Sequence, residues 1–179
     1  GRTEELTTLE QWIAVQRCRL VAVLGMGGIG KTAVAAKVAV QVQHEFEYVI
    51  WRSLLHAPPL ETLLGELVAF VSDFGESSTE IARLIYYLRS RRCLLILDNM
   101  ETILEAGEAG QFRAGYEGYG ELLKVIGETA HSSCLILTSR EKPSEIAVNE
   151  GDKLPVRSLR LNGSPQAAIA LLDAKGLVG

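Results

Sequence analysis

The chain has 179 residues, 47% hydrophobic and 22% charged, the balance of one globular domain that buries roughly 70% of its unfolded surface. Against 22 acidic residues stand 18 basic ones, and the net charge of -4 gives no general pull toward DNA, RNA or anionic lipid. No apolar run approaches the roughly 18 residues of a membrane span and no secretory leader is visible, so a cytoplasmic setting without membrane contact is expected.

In chain order, Leu6, Leu9 and Ile13 recur at helical spacing and predict a helix over 4–17. "RLVAVLG" (19–25) is a β-branched apolar run closed by glycine, which reads as a buried strand. A largely apolar helix follows at 31–45, and "YVIWRSL" (48–54) is a second strand, ended by Pro58-Pro59. A helix is expected from Leu60 to about residue 74. Ser77 and Glu80 have the spacing of a capping box for the next helix, which buries Ile81, Leu84, Ile85 and Leu88. Strands are expected at 93–98, 134–139 and 156–161, with a helix at about 119–130. Ser164-Pro165 opens a last helix that stops near Lys175-Gly176. Strands alternating with helices predict a parallel sheet covered on both faces, an α/β fold.

The stretch "EAGEAGQFRAGYEGYGE" (105–121) reads as a mobile loop, or as a flap over a ligand or partner. Cys18, Cys93 and Cys134 lie far apart in apolar settings and are expected to be reduced and buried. His44, His56 and His131 lack metal-ligand spacing. Arg89, Arg91 and Arg92 are expected to complement a helix C-terminus, and Trp12, Trp51, Tyr86 and Tyr87 to pack.

"GMGGIGKT" (25–32) satisfies G-x-x-x-x-G-K-[ST] between a predicted strand and a predicted helix, the context that the pattern requires. At the usual glycine frequency of about 7%, a chance match in such a chain is below roughly one per cent. Glycines let the backbone turn its N–H groups inward, and the helix N-terminus favours negative charge. Lys31 would then reach the β- and γ-phosphates, and the Thr32 hydroxyl would bind Mg²⁺. The run "CLLILD" delivers Asp98 to the carboxyl end of a parallel strand, the edge where ligands bind in open α/β sheets, so Asp98 is expected to orient the same Mg²⁺. "LILTSR" (135–140) brings Arg140 to that edge, either to read a γ-phosphate or to pair with Glu141 or solvent.

Asn99 stands where a hydrolase is expected to hold a second acid. A neutral amide orients water but is a very poor base, which predicts a nucleotide holder and, at most, a slow ATPase. Glu101 takes over that role if the strand turns into a helix there; otherwise it is a helix-start residue.

With "GRTEEL", "GMGGIGKTA", "YVIWRSL", "LLILDN" and "LILTSR" in order, the chain resembles a nucleotide-binding domain of the STAND class of P-loop NTPases, of NB-ARC type. The resemblance implies a three-layer fold with a five-stranded parallel sheet, in which the strand leading to Arg140 lies between those leading to Lys31 and Asp98. It implies ADP in an off state and ATP-linked opening into an oligomer, with Mg²⁺ as cofactor. Nucleotide contacts would come from Arg2 near base and sugar, from Gly25, Met26, Gly27, Gly28, Ile29, Gly30, Lys31, Thr32 and Ala33, and from Arg140 as γ-phosphate sensor. Lys31, Asp98 and Arg140 would carry the phosphate chemistry. Residues 1–161 would form the nucleotide-binding domain and 162–179 the link to a following helical domain. That domain and a winged-helix domain would be the chain's own partners, beside unidentified sensor and effector domains. The abrupt start at Gly1-Arg2 and the stop at "GLVG" fit a piece of a longer chain. The Asp98-Asn99 pair looks like bacterial regulators of this class, including those with β-propeller repeats. Two other functions compete: a small-molecule kinase, for whose lid the glycine-rich stretch offers only Arg113, and a nucleic-acid-dependent ATPase, for which no basic channel is evident.

Overall fold

The computed structural model describes residues 2–163. The expected last helix, from Ser164-Pro165 onward, lies outside the described residues. Five parallel strands, β1 (Leu20–Leu24), β2 (Tyr48–Ser53), β3 (Cys93–Asp98), β4 (Cys134–Ser139) and β5 (Val156–Arg160), pair in the order β2-β3-β4-β1-β5. The strand leading to Arg140 therefore lies between those leading to Lys31 and Asp98, as expected. Every residue of β1, β3 and β4 is buried, whereas β2 and β5 are the partly exposed edges.

The continuous apolar runs follow from burial on both faces. Leu20, Ala22 and Leu24 face α3 (Leu60–Val71), α4 (Ile81–Ser90) and α5 (Glu117–Glu128). Val21 and Val23 face the opposite layer, built from α1 (Thr3–Glu10) and α2 (Lys31–Val42). Cys18, Cys93 and Cys134 are free and buried, and burial pushes all three thiols above their usual pKa, Cys93 to about 11.

Several local expectations are corrected. The first helix widens into a π turn at Gln11–Val15 and stops there, two residues short of the expected end, with Gln16 as C-cap and Arg17 following at a left-handed φ of 53°. No capping box forms. Helix α4 starts at Ile81 with Glu80 itself as N-cap, and the Glu80 N–H is accepted by Ser78 Oγ at 3.1 Å instead. A short helix, α6 (Ser144–Asn149), is additional. Arg91 and Arg92 lie beyond the end of α4 and pair with Asp73 (3.2 Å) and Glu45 (3.0 Å), so only Arg89 sits in a last helical turn. Tyr86 is 50% exposed, with the Arg83 guanidinium 4.3 Å from its ring centroid; Trp12, Trp51 and Tyr87 do pack.

The glycine-rich stretch is largely pinned rather than free. Phe112 bridges Leu104, the Tyr116 hydroxyl donates to Ala57 O at 2.7 Å, and α5 already begins at Glu117.

Candidate functional site

Strand β1 runs into the turn 25–30, and the turn into α2. Gly30 is the N-cap of α2 at φ 101°, a left-handed conformation that costs any L side chain about 1–2 kcal/mol. A Cβ on Gly25 would stand 2.8 Å from Ile29 Cγ2 and 3.1 Å from Leu161 O, so backbone and neighbour exclude a side chain there. The turn and the first residues of α2 open on a cavity of about 510 Å³ lined by Gly27, Gly28, Lys31, Thr32, Asn99 and Glu101, among others. The unpaired N–H groups of a helix N-terminus favour an anion at this place.

Lys31 is buried, and its ammonium donates to the carbonyls of Gly25 (2.8 Å) and Met26 (3.0 Å). Burial lowers its pKa from the ordinary lysine value; Arg140 adds to that, while Glu101 and Asp98 oppose it. The Thr32 hydroxyl donates to both carboxylate oxygens of Asp98, at 3.0 and 3.1 Å. Asp98 is 4% exposed and is held from a second side by the Thr138 hydroxyl, which donates to Oδ1.

Thr138 is the site residue that sequence reasoning missed. Its oxygen also accepts the Asn99 N–H at 2.9 Å, so one buried hydroxyl on β4 fixes both the carboxylate and the turn after it. Asn99 takes φ 66°, a left-handed conformation that asparagine tolerates. Its amide nitrogen points at Ser53 Oγ and Asp98 Oδ2, each at 3.3 Å, so it braces the carboxylate and closes the turn toward β2. After Asn99 comes a single 3-10 turn, Met100–Ile103, in place of the α-helix start expected for Glu101. That turn places Glu101 on the wall of the cavity. Its Oε2 is buried without a hydrogen-bond partner among the described residues, and burial raises its carboxyl pKa.

Two expected site residues stand apart. Arg140 is exposed and lines a neighbouring depression with Gly110, Lys142 and Arg160. Among the described residues its guanidinium makes no hydrogen bond or ion pair, with Glu141 or any other group. Arg2 lines a smaller cavity of about 220 Å³ with Leu6, Ile29, Ala33, Val34 and Lys37. Its guanidinium donates to Asn162 O at 2.7 Å and to Ile29 O at 3.1 Å, tying the start of α1, the phosphate turn and the segment after β5 together.

The NB-ARC domain family matches residues 2–109. An uncharacterized WD repeat-containing protein of Nostoc sp. is 50% identical over 192 aligned residues, which cover 98% of this chain and 15% of that protein. A disease resistance RPP13-like protein of Arabidopsis thaliana is 28% identical over 86 residues, 45% of this chain and 10% of its own length. The chain thus spans about a sixth or less of these relatives. Among solved structures, the ORC2 protein of Aeropyrum pernix, in ADPNP and ADP complexes, aligns with a TM-score of 0.62 at 15% identity, over 98% of this chain and 52% of that one. A chain of the E. coli HORMA:CdnC:Trip13 complex aligns with a TM-score of 0.58 at 16% identity, over 98% of this chain and 67% of its own. These two likenesses concern the fold. With the family match over more than half its residues, and with the glycine turn, Lys31, Thr32 and Asp98 brought together at one sheet edge, the chain belongs to the NB-ARC domain family.

Proposed function

We propose that this domain is the adenine-nucleotide switch of a longer signal-transduction protein of the STAND class. The observation that carries the reading is the pair of hydrogen bonds from Thr32 to Asp98, which joins the phosphate turn to the end of β3 across the cavity that Lys31 borders. The oxygen donors of Thr32 and Asp98 suit Mg²⁺, which prefers hard oxygen ligands and keeps several waters and substrate phosphates in its shell. They would hold the ion, which when bound neutralises charge on the β- and γ-phosphates.

The chain's own residues do the rest. Lys31 exchanges its two carbonyl partners for phosphate oxygens, and the helix N-terminus favours their charge. Arg2 and the apolar wall of Leu6, Ile29 and Val34 suit the base and sugar. Arg140, without a partner among the described residues, is free to turn toward a γ-phosphate and so to distinguish ATP from ADP. Residues 1–161 form the nucleotide-binding unit, and 162–179 lead into a following helical domain. Nucleotide state biases the arrangement of those domains and self-association, a population shift that requires different affinities of the two states for the ligand. The WD-repeat relative supports a propeller-type sensor, and the Nostoc source a bacterial regulator. Hydrolysis is slow at most, since the residue beside Asp98 is a neutral asparagine.

The test is thermal unfolding with and without Mg-ADP. A ligand at 100 times its Kd stabilises the fold by about 2.7 kcal/mol. The native protein gains that stability and Lys31→Ala does not; equal gains in both contradict the reading.

A further inference from the structure

We infer that the edge of the sheet opposite the phosphate turn carries a second anion site, built from Arg17, Arg19, Lys153 and Arg157, that takes a compact polyphosphate. Its residues are distinct from those of the nucleotide cavity, and it stands whether or not the phosphate turn holds a nucleotide.

Parallel strands all start at one edge of their sheet. Arg19 precedes β1 and Gly25 follows it, so the two edges lie roughly 20 Å apart at about 3.3 Å per residue. At the starting edge the Arg19 N–H donates to Pro155 O at 2.7 Å, which joins the segment before β1 to the segment before β5. A cavity of about 480 Å³ opens there, within the usual range for a small-molecule site, and its wall includes the four cations, His131 and Asp152.

Four cations thus share a wall with one carboxylate, in a chain whose net charge is -4. None of the four forms an ion pair within 4.0 Å among the described residues. Clustered like charges repel, and a chain with more acids than bases has carboxylates to spare; here the positive charge is left for an outside anion. Two of the arginines are already held. Arg19 donates one terminal nitrogen to Gly127 O at 3.2 Å, and Arg157 donates Nε to Leu154 O at 2.9 Å with its guanidinium 5.6 Å from the Trp12 ring centroid. Those bonds fix the planar groups and leave their other N–H donors for phosphate oxygens, whose geometry the guanidinium fork matches. Burial lowers the His131 pKa and the charges of Arg19 and Arg89 lower it further, in keeping with a positive field at this edge. A single carboxylate would neutralise one of the four cations, whereas linked phosphates bring several negative charges within a few ångströms. A nucleic-acid backbone calls for a track of cations, and these are gathered in one depression with Asp152 on its wall.

The experiment is calorimetric titration of inorganic tripolyphosphate and of orthophosphate into the full-length native protein, the double variant Arg17→Gln/Lys153→Gln, and Lys31→Ala. Arg17 and Lys153 are exposed, so the double variant is expected to melt with the native protein. Should it fold poorly, the two single variants, each weaker by about threefold, repeat the test. Tripolyphosphate is expected to bind the native protein more tightly than orthophosphate does. The double variant should bind it about tenfold more weakly, and Lys31→Ala should keep a binding event that still depends on Arg17 and Lys153. Tripolyphosphate binding that is absent from the native protein, unchanged in the double variant, or abolished by Lys31→Ala overturns the site; the last result would assign the binding to the phosphate turn. A poly-glutamate peptide or duplex DNA that binds more tightly than tripolyphosphate, with the same dependence on Arg17 and Lys153, overturns the ligand class.

Discussion

Replacing Thr138 with valine keeps the shape of a side chain that is 1% exposed and removes only its hydroxyl. Two hydrogen bonds go with it: the one donated to the Asp98 carboxylate and the one accepted from the Asn99 N–H. A bond to a charged group contributes about 1.5–3 kcal/mol, and an orphaned backbone donor costs about 1–3 kcal/mol. Asn99 is only partly buried, which puts its share at the low end and the total near 3 kcal/mol. For a domain of this size each kcal/mol moves the midpoint by about 2–4 °C, so Thr138→Val is expected to melt roughly 6–12 °C below native. Thr138→Ser retains the hydroxyl and loses one buried methyl, at a cost of about 1 kcal/mol. Calorimetry or circular dichroism of the three proteins decides it. A valine variant that melts within about a degree of native, or no lower than the serine variant, would show that the hydroxyl does not fix the carboxylate.

Arg140→Ala should weaken ATP binding by about tenfold and leave ADP binding nearly unchanged in paired titrations, because a guanidinium reaching the γ-phosphate has no counterpart in ADP. His131 accepts the Ser133 N–H at Nδ1 and faces Ile126 O through Nε2, and burial lowers its pKa below the usual 6.5. The unfolded chain therefore binds the proton more readily; His131's contribution is intact above about pH 6.5 and is lost as pH falls from there toward the lower folded value. Urea melts at pH 7.5 and 5.5 should show that extra loss in the native protein and not in His131→Asn. All three thiols should resist a cysteine-alkylating reagent at pH 8 in the folded state and react together on unfolding, since burial raises each pKa and covers each sulfur.

How much the sequence disclosed varies with the range of the interaction involved. β1, β3 and β4 were legible because burial on both faces writes an unbroken apolar run, and the phosphate turn because its glycines answer a backbone requirement that nothing else meets. Asp98 was legible as the polar end of such a run. Thr138 was not, since a threonine in a strand is ordinary by propensity and its role appears only when β4 is set beside β3. The absent capping box has the same lesson: the Ser77–Glu80 spacing was right, but α4 starts at Ile81, three residues too late for it. The fate of Glu101 depended on the chain forming a tight 3-10 turn behind a left-handed Asn99, and a motif cannot announce that conformation. Arg2 was placed near base and sugar by family resemblance, while its bonds to Ile29 and Asn162 span 27 and 160 residues and leave no local signal.

The central claim is that Thr32 and Asp98, hydrogen-bonded to each other in this structure, open to hold the Mg²⁺ of a bound nucleotide. The most direct measurement is the affinity for ADP with Mg²⁺ and with a chelator, in the native full-length protein, Thr32→Val and Asp98→Asn. The account predicts that Mg²⁺ tightens binding in the native protein and that either substitution removes most of that gain while the Mg²⁺-free affinity changes little. Native and variant proteins with the same Mg²⁺ dependence would contradict it.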